Sequence, residues 1–227
     1  MCDSRDDAEP WIPAPTGVRH KFAGFVWKDT EDNTEVAIRD GIDHARWLSV
    51  FLKLEEAEFF LKQVRAHVRV PKLLLFYLSA FLSSARATTF HIQKQICPKV
   101  PGGREVYDQA KKDWLSGAIS AFFVTQRNVS EKEMYIPLSF KLVNTNGGGD
   151  MAGSQPRPVS KEQLMWLEEV LLTVWPRHGG VEPKWYLEGC PSGPADLLEA
   201  CEAYLRNLNY FVDALRVKID GIAWESG

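Results

Sequence analysis

An arginine beside an asparagine suits phosphate recognition. Arg127 and Asn128 stand in the segment Gln126-Arg127-Asn128-Val129-Ser130-Glu131-Lys132-Glu133. A guanidinium presents a planar fork of N–H donors that matches phosphate oxygens, and a neighbouring amide adds both donors and an acceptor. Lys132 contributes a point charge that can grip an anion. With an ordinary pKa of about 10.4 it stays charged at neutral pH and shuttles protons poorly. Arg86 is the second candidate anion ligand. It follows an apolar, small-residue stretch and so lies close to a core. There it either pairs with a carboxylate (Glu55, Glu56 or Glu58) or joins Arg127 in an anion pocket. Arg86 and His91 also spell Arg-x4-His. Inside a helix, however, a five-residue step turns about 140° away from its starting face, so the two side chains diverge.

Other chemistry is sparse. Cys2, Cys97, Cys190 and Cys201 form no C-x-x-C pair, and His20, His44, His67 and His178 form no ligand pair. No metal site and no cofactor are expected. Gly147–Gly149 has no lysine after it and opens no helix, so it reads as a flexible loop and not a phosphate cradle. With 27 Lys and Arg against 30 Asp and Glu, the net charge is −3. That excludes a protein living on bulk DNA attraction and leaves room only for a local basic patch. Lys94, Lys99, Arg104, Lys111 and Lys112 cluster around one connection and read as a solvated surface. Trp166, Trp175 and Trp185 read as core of the segment that holds them.

The elements that must position these residues are mostly helical. Residues 1–39 read as an acidic, proline-rich tail followed by an apolar clip (Phe22, Phe25, Val26, Trp27), with no signal peptide. A first helix is predicted over about 40–68, with Trp47, Phe51, Leu54, Leu61 and Val64 on its inner face. Leu48, Leu52 and Phe59 widen that face toward a second neighbour. A second helix is predicted over 71–96, with Pro71 in its first turn. Its longest apolar run, Leu73–Leu82, is interrupted by Ser79 and is about half the length of a membrane span. A third helix is predicted over 104–127, with Gly117 as a weak point or close contact. Residues 134–193 form a small α/β insertion. There Ile136–Leu142 alternates as a strand that Pro137 confines to an edge, 144–158 is a mobile loop, and Ser160-x-x-Gln163 caps a short helix. Trp185–Leu187 would return beside the first strand. The last helix begins at Pro194 and ends at Gly221. Leu197, Cys201, Tyr204, Leu208, Phe211 and Leu215 form a heptad stripe on it, suited to a bundle core or a dimer seam. The expected fold is mainly α: an up-down four-helix bundle with a small α/β insertion between the third and fourth long helices. The first three helices span 40–133, and the fourth lies in 194–227.

Two segments carry a family likeness: Phe76-Tyr77-Leu78-Ser79-Ala80-Phe81-Leu82-Ser83-Ser84-Ala85-Arg86, and the Gln126–Glu133 segment above. Together they resemble a group of uncharacterised bacterial proteins with a HEPN-like helical bundle (higher eukaryote and prokaryote nucleotide-binding). The likeness covers about 40–133 and 194–220. It implies a helical, dimeric protein. Many such proteins are metal-independent endoribonucleases of toxin–antitoxin, abortive-infection and CRISPR systems, whereas others only bind RNA or act as scaffolds. Active members carry Arg-x4–6-His, often with Asn after the Arg. Here Arg127 and Asn128 match, and Lys132 stands where histidine would complete the motif.

The expectation is a catalytically degenerate RNA-binding, regulatory or scaffold module of a bacterial stress or defence system. It would be cytoplasmic, with no membrane partner, and would form a homodimer or meet a protein partner through its helices. Anion contacts would come from Arg86, Arg127 and Lys132. The alternatives are a toxin-type, metal-independent endoribonuclease using Arg127 and Asn128, and a purely structural helical dimer or interaction subunit.

Overall fold

The structure is a computed structural model. It describes residues 34–133, 136–144, 155–160, 162–164, 166–167, 169, 181–190, 193 and 195–225, with side chains from Trp47 onward except at 129–135, 181 and 223–225. The expected tail and clip over 1–33, and most of the expected loop over 144–158, lie outside the described residues. The chain divides into two compact units, Met1–Asp40 and Gly41–Gly227. Every candidate residue above that is described belongs to the second.

The protein is mainly helical, with a small four-stranded antiparallel sheet. Helix α1 spans Thr34–Ala66, starting earlier than the sequence suggests. Its predicted inner face, Trp47, Phe51, Leu54, Leu61 and Val64, is buried as expected. The predicted widening is not: Leu48, Leu52 and Phe59 are exposed. Helix α2 spans Pro71–His91 and buries Leu74, Leu78, Phe81, Leu82 and Ala85. It continues as a π-helical turn, Ile92–Ile96, and a 3-10 turn, Cys97–Lys99. That whole run is long and apolar enough to cross a membrane, longer than the apolar stretch Leu73–Leu82 alone. Leu74, Leu78, Phe81, Leu82, Ile92 and Ile96 of it lie in the core, while Phe76 and Phe90 are exposed.

The predicted third helix is two. Helix α3 spans Gly103–Leu115 and α4 spans Ala118–Glu133, with the break at Ser116–Gly117. Entry to α3 needs two glycines. Gly102 is left-handed (φ +68°), a conformation side chains disfavour. A Cβ on Gly103 would stand 2.6 Å from the Cys97 carbonyl oxygen.

The sheet has the order β2-β1-β3-β4, with β1 Leu138–Asn144, β2 Arg157–Val159, β3 Val181–Leu187 and β4 Ala195–Asp196. Trp185–Leu187 does return beside β1, with Leu138 opposite Leu187 and Phe140 opposite Trp185. The edge assignment is corrected, since β1 is paired on both sides. Pro137 lies one residue before the ladder, where its missing N–H costs nothing, and its carbonyl accepts the Glu188 N–H at 3.1 Å. The capping box is present: the Ser160 N–H donates to Gln163 Oε1 (2.8 Å) and the Gln163 N–H to Ser160 Oγ (3.2 Å).

Helix α5 spans Leu197–Glu225 and runs through Gly221, which does not end it. All six residues of its heptad stripe are buried. It lies antiparallel to α1, because Arg65 pairs with Glu202 near one end and the Trp47 indole N–H reaches Asp220 at the other (3.4 Å). The Trp185 indole N–H donates to the Val68 carbonyl at 2.7 Å, fixing the sheet at the α1–α2 turn. Helices α2 and α4 pack together, with Phe81 edge-on to Phe123.

Candidate anion-binding site

Helix α2 places Arg86 half-buried in the helical core. Its Nη1 donates to Thr89 Oγ1 at 3.0 Å, and that hydroxyl donates in turn to the Arg86 carbonyl at 2.9 Å. Among the described residues no carboxylate pairs with it. The expected pairing with α1 is not seen, since Glu55 lies on the solvent side of α1 and Glu56 is engaged by Lys53. Tyr107 from α3 and Tyr204 from α5 both lie close enough to feel its charge.

The tyrosines are held firmly. Tyr204 stacks on Phe123 of α4 (4.8 Å, 17°) and meets Phe81 of α2 edge-on. Tyr107 meets Phe211 of α5 edge-on at 5.5 Å. Burial pushes the Tyr204 hydroxyl up to about 12, against the opposing pull of Arg86. Burial likewise raises Tyr107, with Arg86 pulling it down. Both are neutral O–H donors at physiological pH. Among the described residues neither hydroxyl makes a hydrogen bond. A guanidinium that has no counter-charge among the described residues and two neutral O–H groups are the types of donor that a small anion takes.

The raised tyrosines set an upper pH limit on the fold. Unfolded, Tyr204 ionises near its ordinary value of about 10; folded, it keeps its proton to about 12. Its contribution is complete below about pH 10 and lost as pH rises toward 12, about 3 kcal/mol in all. Tyr107 and the buried Cys97 act in the same direction. Urea midpoints measured from about pH 8 to 12 should fall steeply above 10. An unchanged midpoint would contradict this burial.

Arg127 lies within α4, which continues to Glu133, and so is not at the helix end. Its Nη1 donates to Asn128 Oδ1 at 3.2 Å, and Asn128 is exposed. Lys132 falls in the last turn of α4, with its side chain outside the described residues. Because α4 is continuous there, the five-residue step from Arg127 turns about 140°, and the two positions share no face. Arg86 lies on α2 and Arg127 on α4, and the hydrogen bonds described above for each stay within its own helix. His91 diverges from Arg86 as expected, since α2 is regular through it. Its Nδ1 is buried without a hydrogen-bond partner among the described residues.

Of the other candidates, Lys94, Lys99, Lys111 and Lys112 are exposed, and Arg104 is paired with Asp108 at 3.0 Å. Trp185 is core, but Trp166 is exposed, so the expected tryptophan core of the insertion holds in part. Cys97, Cys190 and Cys201 are buried. Among the described residues no group of acidic, histidine and cysteine side chains could hold a metal. Sequence reasoning missed Tyr107 and Tyr204 as site residues. The available signal was a hydroxyl in an otherwise apolar heptad stripe, since a buried tyrosine needs a polar partner. Compared with known family models, curated proteins and solved structures, the chain finds no match.

Proposed function

We propose that the chain is a HEPN-like helical module that binds an RNA phosphate, or a similar phosphate anion, without cleaving it. In this reading α1, α2, the α3–α4 pair and α5 take the places of four bundle helices, and the sheet is the insertion. The expected setting is a bacterial stress or defence system in the cytoplasm. The observation that carries the reading is Arg86: a half-buried guanidinium within electrostatic reach of two buried tyrosines, with no carboxylate partner among the described residues. Non-cleavage follows from Arg127, which has neither an imidazole at the expected spacing nor Lys132 on its face.

The test is RNA binding and RNA cleavage by the purified protein in excess EDTA, with Arg86→Gln and Arg127→Ala beside wild type. The expected result is salt-sensitive binding, weakened about tenfold or more by Arg86→Gln, and no cleavage by any form. Chelator-resistant cleavage lost in Arg127→Ala would replace this reading with the endoribonuclease. A second reading, a structural helical dimer, draws on an exposed apolar strip: Trp114 of α3 lies against Tyr210 of α5 (5.2 Å between rings), with Val217 one heptad further on. Sedimentation as a dimer that Val217→Asp dissociates, with no RNA bound, would favour it.

A further inference from the structure

A groove remote from Arg86 has the features of a ligand site. It lies where the middle of α1, the π-helical and 3-10 turns after α2 and the last turns of α5 meet, and has a volume of about 320 Å³. That is the low end of the range for small-molecule pockets. Its walls are Trp47, Leu48, Leu52, Ile96, Val100 and Ile219. Two of them explain an oddity of α1: Leu48 and Leu52 are 45% and 52% exposed although they stand beside a buried face. The π-helical turn, a feature frequent at functional sites, supplies Gln95 and Ile96. Ser49 Oγ donates to Gln95 Oε1 at 3.0 Å, joining α1 to that turn.

Charge decides what the groove would accept. Asp220 already receives the Trp47 indole N–H and pairs with Arg216, each at 3.4 Å. Lys99 is exposed and has no ion pair among the described residues. Among the described residues the groove therefore offers an apolar slot, a compensated carboxylate and a lysine without an ion pair. A cationic amphiphile would meet Lys99 unfavourably, whereas a carboxylate would complete it.

We propose that this groove binds a monomeric linear carboxylate of medium chain length, its hydrocarbon chain along Leu48, Leu52 and Ile96 and its carboxylate at Lys99. The site is independent of the anion site at Arg86.

Calorimetric titration of the full chain with decanoate, kept below its micelle-forming concentration, tests this. Saturable one-site binding is expected, weakened about tenfold by Lys99→Gln and abolished by Leu52→Asp. Decyltrimethylammonium should not bind. Both substituted residues are exposed, so circular dichroism should show both variants folded. Absence of decanoate binding, equal binding of the cationic amphiphile, or an affinity unchanged by Lys99→Gln would each overturn the proposal. So would sedimentation of wild type as a dimer that Leu52→Asp makes monomeric, since the groove would then belong to a second copy of the chain.

Discussion

Arg86→Met should make the protein more stable and less able to bind anions at the same time. A half-buried charge without a counter-charge costs desolvation that its single hydroxyl partner only partly offsets. Methionine keeps much of the aliphatic stem and removes that cost. A gain of about 1 kcal/mol is expected, discounted for the solvent that reaches the guanidinium. Anion affinity should fall about tenfold or more, as for a lost charged hydrogen bond. Urea denaturation and filter binding on the same preparation would measure both. Arg86→Lys should keep the charge but lose the fork, leaving binding weak. If Arg86→Met instead loses stability, the guanidinium has a structural role and the anion site fails with it. The opposite signs separate a binding residue from a packing residue, which binding loss alone would not.

Phe211→Ala should be the most damaging substitution in α5. Phe211 is fully buried and meets Tyr107 edge-on. Emptying such a position costs about 3–5 kcal/mol, through lost transfer energy and the cavity left behind, and the aromatic contact adds up to about 1 kcal/mol. Set against a typical total of about 5–15 kcal/mol, this brings the fold near its limit. Tyr107 would lose its support, so anion affinity should fall as well in whatever fraction stays folded. Val217→Ala on the same helix is the control. Val217 is 74% exposed, and its loss should stay within about 0.5 kcal/mol. Comparable losses in the two variants would contradict the burial described for α5.

Much of the helical framework is legible in the sequence because its signals are local. The heptad stripe of α5, the inner face of α1, Pro71 at the start of α2 and the Ser160–Gln163 box each depend on residues a few positions apart, and each is found where expected. The misreadings share a cause. Pro137 argues for an edge strand only if it lies within the ladder, and the ladder starts one residue later. Gly117 marks a weak point, yet whether a helix bends or breaks there depends on what α3 and α4 each contact. The exposed Leu48 and Leu52 look like core because periodicity reports a face and not what covers it. The site follows the same division. Arg86 is recognisable as a half-buried cation from its apolar surroundings on α2. Its tyrosines come from α3 and α5, and only the tertiary fold brings them to it. Arg127 and Lys132 look like neighbours in the sequence because the charged residues after Arg127 suggest a turn. The helix continues, and its rotation separates them.

The pairing of α1 with α5 also bears on synthesis of the chain. Trp47 and Arg65 find their partners at Asp220 and Glu202, almost the whole length of the protein away. The inner faces of α1 and α2 thus have no final cover until α5 has left the ribosome. At roughly 5–20 residues per second, the apolar run Pro71–Lys99 waits on the order of ten seconds in an incomplete chain. During that interval it is a segment that a membrane-targeting factor or a holdase chaperone would recognise, and the arrival of α5 is what completes the packing around it.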